Sequence, residues 1–381
     1  MSIGSTRTIC QSERMKNAPL SSIRNIIAYS DKLEQEGRSI IHLELGEPDF
    51  GTPAHIIDAC KKALDNQEVH YGPIAGTVEL RKALSRHCTR YGLEYAPEEI
   101  LVSTGVVHGV FLSMLAYLDP GDEILVPDPG YLIYFADPHI AQAKPVSYPL
   151  REENGFQLDA ETLEALITPR TKAILFNTPN NPTGRLVDGA LLRAAAEQCR
   201  AVGAVLAVDE CFLPLSDGAG PGLAPCLAEH PNLLLLRAFT KSYAMAGLRL
   251  GYALSANGGL LERMAAAGPP WSVSTPAQAA GLAALEQCSD WPEKARALLA
   301  SERPALSDGL AALGLEVVPG QANYLLFRAA GAADLNDRIL TRGVLIRSCA
   351  NYHGLGNDWY RVCVGQAEQN RRLLAALKEV L

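Results

Sequence analysis

Ala204-Val205-Leu206-Ala207-Val208 runs straight into Asp209-Glu210, and Leu233-Leu234-Leu235-Leu236 runs into Arg237-Ala238-Phe239-Thr240-Lys241-Ser242-Tyr243. Both runs are short and apolar at odd and even positions alike, which suits strands buried on two faces. Glu123–Val126, Ala173–Phe176 and Leu250–Leu254 read the same way. Segments with helical spacing alternate with them: Thr52–Asp65, Thr77–Tyr91, His108–Leu118 and Gly189–Val202. Thr52 is the expected N-cap of the first, with Pro53 as its first helical residue, and Gly203 stops the last. Strand–helix alternation over residues 95–255 predicts an α/β fold, a mainly parallel sheet covered by helices. After Ser274 come an Ala/Leu-rich helix, strand-like Leu315–Val318 and Tyr324–Phe327, and a closing helix over Gln366–Leu381. The expected organisation is a large domain over residues 46–280 and a smaller α+β domain built from both chain ends, 1–45 and 281–381.

The chain has 381 residues, near the upper limit for one hydrophobic core. With 48% hydrophobic and 20% charged residues it is not a disordered polypeptide. Its formal charge of −8 argues against a protein that grips nucleic acid or an anionic membrane. No apolar run approaches the roughly eighteen residues of a membrane span, and Met1–Arg14 lacks the apolar core of a secretory signal. Nine dispersed cysteines, with no C-x-x-C and no zinc-like spacing, point to a reducing compartment, hence the cytoplasm. Cys211, Cys349 and Cys363 read as small buried hydrophobes.

Four features lie at strand ends, where ligands of open α/β sheets bind. Ala173–Phe176 leads into Thr178-Pro179-Asn180-Asn181-Pro182-Thr183-Gly184, a rigid turn that leaves amide side chains free for a ligand. Asp209 follows a buried strand, where a carboxylate is costly unless paired; it suits a counter-ion for a protonated ring nitrogen, or else a loop cap. Lys241 follows another, where desolvation lowers an amine's pKa and favours a Schiff base; Arg249, framed by Gly247 and Gly251, suits an anion. Ser103-Thr104-Gly105-Val106-Val107-His108 opens a helix whose free N–H groups make a phosphate seat. A cofactor with an aldehyde, a basic ring nitrogen, a phenolic oxygen and a phosphate would use all four: pyridoxal 5′-phosphate.

These motifs resemble the fold-type I pyridoxal-phosphate enzymes, in particular the class I/II aminotransferases, from about Asn17 to Leu381. Leu45-Gly46-Glu47-Pro48-Asp49-Phe50 resembles the group's N-terminal signature, which implies that the Gly46 backbone faces the substrate carboxylate. Tyr71, with Gly76 and Leu80-Arg81-Lys82-Ala83 after it, resembles the segment whose tyrosine reaches the partner's cofactor phosphate in a homodimer. The resemblance implies that Tyr131 stacks on the ring, Asn181 donates to the phenolic oxygen, Asp209 pairs with the ring nitrogen and Lys241 carries the cofactor. Arg249 then binds phosphate, beside Val106, Val107 and Thr240, and Arg361 binds the substrate α-carboxylate.

Ala322–Phe327, Leu345–Tyr352 and Tyr360-Arg361-Val362 also resemble L-threonine-O-3-phosphate decarboxylases and, more distantly, histidinol-phosphate aminotransferases. Three residues depart from the aminotransferase pattern: Phe212 where a tyrosine is usual, Ala238 where a phosphate-binding serine is common, and His108 where Glu or Gln is frequent. The resemblance implies an enzyme that moves the amino group of an L-amino acid to a 2-oxo acid. Decarboxylation of a phosphorylated amino acid ranks second, with Arg347, His353 and Arg237 as candidates for a second anion. A non-catalytic sensor domain ranks last, since an acidic chain carries no basic DNA-binding module. Trp271 reads as packing near the site mouth, and Tyr134 as a core aromatic.

Overall fold

Seven short strands form the central sheet: β1 (Ile100–Ser103), β2 (Glu123–Asp128), β3 (Lys144–Pro149), β4 (Thr171–Asn177), β5 (Val205–Asp209), β6 (Leu233–Ala238) and β7 (Gly251–Leu254). They belong to a computed structural model that describes residues 12–16, 23–48, 50–217, 220–287 and 290–381. The strand order is β1-β7-β6-β5-β4-β2-β3. The neighbours from β6 to β3 are parallel, so the expected mainly parallel α/β sheet is present. The run at Leu250–Leu254 departs from it: β7 lies antiparallel to both β1 and β6. Burial on two faces identifies a covered strand but is blind to its direction.

Alternation along the strands feeds two cores. Leu206, Val208, Leu233, Leu235, Ile174 and Phe176 pack into one; Ala207, Leu234, Leu236 and Leu175 pack into the other, with Val110 and Met114 of the covering helix. Because side chains alternate with period two, Asp209 and Ala238 fall on the second face and Glu210 and Arg237 on the first. That parity puts Asp209, and not the adjacent Glu210, on the side of the sheet where a cavity opens.

The helices lie close to their expected spans, and the differences are at the ends. α1 is Ala54–Asp65, and Pro53 rather than Thr52 is its N-cap, without a side-chain bond. The Thr52 hydroxyl instead donates to the Ala244 carbonyl, tying this helix to the loop after Lys241. α2 (Val106–Tyr117) starts two residues before the expected His108. α3 (Gly189–Ala201) is capped by Asp188, whose carboxylate accepts from the N–H groups of Ala190 and Leu191. α4 (Phe239–Ser242) is a single turn directly after β6.

A second, antiparallel sheet contains β8 (Glu316–Val317), β9 (Tyr324–Arg328), β10 (Arg347–Ser348) and β11 (Trp359–Cys363), in the order β10-β11-β9-β8. Its core joins Ile41 and Leu43, near the chain start, to Phe327, Ile346, Tyr360 and Leu373. Leu299 and Leu306 of α5 (Trp291–Ala312) and Leu377 of α6 (Ala367–Val380) close it. Asp49, Cys10, Cys288 and residues 1–11 lie outside the described residues. Among the described residues no helix is long and apolar enough to cross a membrane, and no group of His, Cys, Asp and Glu suits a metal.

Candidate active site

At the carboxyl ends of β4, β5 and β6 opens a cavity of about 1030 Å³, counting the space at its mouth. Gly46, Val106, Val107, Tyr131, Asn181, Asp209, Thr240, Lys241, Arg249 and Arg361 all line it. Of the expected site residues only Tyr71 does not. Tyr71 is 82% exposed on this chain and stacks on Trp271, ring centroids 4.4 Å apart.

Lys241 sits in α4, and burial pulls its amine below the ordinary lysine pKa. A neutral amine is the form that attacks a carbonyl. Its Nζ stands 5.4 Å from the centre of the Phe212 ring. A Cβ added at Gly46 would come within 3.2 Å of that ring, so glycine lets the backbone pass beside the lysine.

Asp209 is buried, and burial raises its pKa against the lowering effect of the Cys211 N–H and the Tyr134 hydroxyl. Cys211 N–H donates to Oδ1 at 2.9 Å and Tyr134 Oη to Oδ2 at 2.8 Å. These bonds fix the carboxylate's direction, and a cation brought beside it would offset its burial. Tyr134 is therefore more than a core aromatic. Cys211 is only half-buried and lines the cavity, a correction to its reading as a buried hydrophobe.

Asn181 is held by the residue that ends β4: its N–H donates to Asn177 Oδ1 at 2.7 Å, and Asn177 Nδ2 donates to the Asp209 carbonyl at 3.2 Å. Its Oδ1 accepts from Arg361 Nη1 at 2.6 Å and from the Tyr352 hydroxyl at 3.2 Å. Arg361 Nη2 donates to the Glu44 carbonyl at 2.8 Å, and the guanidinium lies 5.1 Å from the Tyr324 ring centre.

An anion seat forms at the start of α2. Its N-cap, Gly105, has φ of 84° and no side chain to occupy the first-turn N–H groups. A Cβ there would lie 2.9 Å from Arg249 Nη2, so glycine also admits the guanidinium to the seat. Intrahelical bonding leaves the N–H groups of Val106 and Val107 without acceptors. His108, unexplained in the sequence, has a structural role: its Nδ1 accepts from the Thr104 N–H at 3.3 Å, and burial lowers its pKa, which keeps the acceptor free.

Two candidates for a second anion do not serve. Arg237 faces the opposite side of the sheet and pairs with Glu210 at 2.7 Å. His353 is largely exposed and bound to Asp128 at 3.0 Å. Arg347 does line the cavity: it is 3% exposed, donates from Nη2 to Asn351 Oδ1 at 3.0 Å, and leaves Nη1 without a partner among the described residues.

A buried lysine, an oriented buried carboxylate, an amide and a helix-start anion seat thus converge on one cavity. A profile of the family described as aminotransferase class I and II matches residues 38–377. The chain belongs to that family. Its members depend on pyridoxal phosphate, and this chain is an enzyme of the same fold type. It is 33% identical to the aspartate/prephenate aminotransferase of Thermus thermophilus, over 95% of this chain and 96% of that protein. It is 37% identical to the threonine-phosphate decarboxylase of Salmonella typhimurium, over 87% of this chain and 88% of that one. The solved structure of Thermus thermophilus aspartate aminotransferase with maleate superposes with a TM-score of 0.86 at 32% identity, covering 98% of this chain and all of the other. Aminotransferase names recur among these relatives, and aminotransferase activity is the better supported reading.

The Gly105 seat, the amine of Lys241 and the aligned Asp209 carboxylate fit pyridoxal phosphate. Sequence reasoning reached Lys241, Asp209 and Asn181 because each follows an apolar strand, and Arg361 through the family resemblance; the structure brings all four to one cavity. It missed Tyr134 and Tyr352, whose roles are set only by contacts across the fold.

Proposed function

We propose that this aminotransferase acts on an L-amino acid carrying a second anionic group and passes the amino group to a 2-oxo acid. The observation that carries the substrate class is a pair of arginines. Arg347 and Arg361 stand directly opposite each other on β10 and β11, both buried, and neither forms an ion pair among the described residues. Like charges facing across an antiparallel pair repel, so a substrate with two anionic groups would relieve both. Maleate, bound by the Thermus thermophilus relative, is a dianion of this kind.

In this reading Lys241 would hold the cofactor through Nζ, Asp209 through its ring nitrogen and Asn181 through its phenolic oxygen. Tyr131 would hold the ring, and Arg249, Thr240 and the first N–H groups of α2 would take the phosphate. When bound, the cofactor supplies an electron sink for negative charge at the substrate Cα. The chain does the rest. Asp209 would keep the ring nitrogen protonated, electrostatic stabilisation supplied before the charge develops. Arg361, braced by Asn181 and the Glu44 carbonyl, grips the α-carboxylate, and the Gly46 backbone lies beside it. Once the substrate amine takes its place on the cofactor, Lys241 Nζ, its pKa lowered by burial, would take the Cα proton and return it.

The chain works as a homodimer in the cytoplasm in this proposal, divided into a large unit (46–280) and a small one (1–45 with 281–381). Tyr71, Trp271, Ile74 and Val69 leave an exposed apolar patch that a second copy would cover. Seven cysteines are free among the described residues, as in a reducing compartment.

Two observations favour decarboxylation as a second reading. Phe212 puts no hydroxyl beside Lys241, and the relative that acts on a phosphorylated amino acid matches most of the chain. Loaded protein should be mixed with aspartate, glutamate, alanine and O-phosphothreonine, with oxo acid and CO₂ both measured. Oxo acid from an anionic substrate is the expected product. CO₂ from O-phosphothreonine without oxo acid would establish the second reading, and preference for alanine would remove the role given to Arg347.

A further inference from the structure

The loop between β10 and β11 reaches back over the cavity and is fastened at three points. Asn351 accepts from Arg347 Nη2 at 3.0 Å. His353 binds Asp128 Oδ2 at 3.0 Å and stacks on Phe135, ring centroids 5.6 Å apart. Between them lies Tyr352, 4% exposed, with the Arg347 guanidinium 5.6 Å from its ring centre and its hydroxyl 3.2 Å from Asn181 Oδ1. A loop normally pays conformational entropy for such order, and here the ordered element delivers one buried hydroxyl to one amide.

We infer that Tyr352 is a positioning residue: its hydroxyl, donated to Asn181 Oδ1, holds the Asn181 amide with Nδ2 turned to the cavity and makes up for the hydroxyl absent at Phe212. An amide has one acceptor end and one donor end. In Asn181 the acceptor end is saturated, by Arg361 from one side and Tyr352 from the other. The donor end has no protein acceptor among the described residues and lines the cavity. A donor at Oδ1 also polarises the amide, so its N–H becomes a better donor in turn. Phe212 contributes an edge-to-face contact with Tyr324, centroids 5.0 Å apart, and an apolar ring beside Lys241. The hydroxyl on this side of the cavity therefore comes from residue 352, a whole domain away in sequence. Arg361 alone would leave the amide anchored through a single bond and free to rotate about it.

This inference rests on the proposed role of Asn181 toward the cofactor's phenolic oxygen, and the test separates the two. Tyr352→Phe removes the hydroxyl and keeps the ring against Arg347. The absorbance titration of the loaded protein reports how well the phenolate is stabilised. In Tyr352→Phe its midpoint moves up by about 0.5, and the cofactor dissociates several-fold faster. In an Asn181→Ala background the same substitution produces no further shift, because the two residues act through one bond. An unchanged midpoint and dissociation rate in Tyr352→Phe would overturn the inference, as would an equal shift in the Asn181→Ala background. A native protein with no pH-dependent band after loading would instead overturn the cofactor role of the site, and this inference with it.

Discussion

Removing Glu210 while leaving Asp209 separates the two acids that adjoin in sequence and part company in space. Glu210 is 1% exposed; its Oε2 accepts from Arg237 Nε at 2.8 Å and pairs with Nη2 at 2.7 Å, and its Oε1 accepts from the Leu223 N–H at 3.1 Å. Glu210→Ala strands a buried guanidinium and a buried N–H. Breaking a buried pair from one side costs about 3–5 kcal/mol. With an unfolding entropy of roughly 2.1 cal/mol/K per residue, a chain of this size would melt about 4–6 °C lower. Removing both partners with apolar residues, Glu210→Leu with Arg237→Met, should recover most of that loss. Calorimetry of the three proteins without cofactor measures it, and cofactor titration of each checks the other half: Glu210→Ala should bind close to normally, whereas Asp209→Ala should bind poorly. A loss near the 1 kcal/mol of a surface ion pair, or a Glu210→Ala protein unable to bind cofactor, would refute the assignment of these acids to opposite faces.

Phe212→Tyr adds a hydroxyl beside Lys241, so the absorbance titration of the loaded protein should shift to lower pH; no shift or an upward one counts against the placement of residue 212. Arg361→Lys keeps the charge but loses the two-pronged donor geometry, and kcat/KM should fall about 10–100-fold, the worth of one or two charge-assisted bonds; steady-state kinetics would show it. Burial depresses the Lys241 pKa, so as pH falls the unfolded chain gains this proton before the folded one. The resulting loss of stability is absent above the unfolded value of about 10.4 and complete below the folded pKa. Lys241→Met, stripped of cofactor, should therefore melt above the native protein at pH 7 and lose that advantage near pH 10.5; a constant difference across the range would contradict a depressed pKa.

The central sheet was legible because strands buried on both faces leave uninterrupted apolar runs, and β4, β5 and β6 each end on a residue of the site. Parity along β5 and β6 was equally legible in the sequence, and it alone removes Arg237 from the second-anion candidates. Other features are invisible in a single chain's spacing. Tyr352 meets Asn181 across 171 residues, and Tyr134 meets Asp209 across 75. No local pattern distinguishes such a tyrosine from a core aromatic. Thr52 illustrates the same limit at short range: its cap position was plausible, but the Ala244 carbonyl competes for the hydroxyl.

Reduction of the loaded protein with borohydride, followed by peptide mapping, goes to the root of the account. One label fixed on the peptide that contains Lys241, and none in a Lys241→Ala protein, is the predicted result. Label on any other lysine, or none at all after loading, would contradict it.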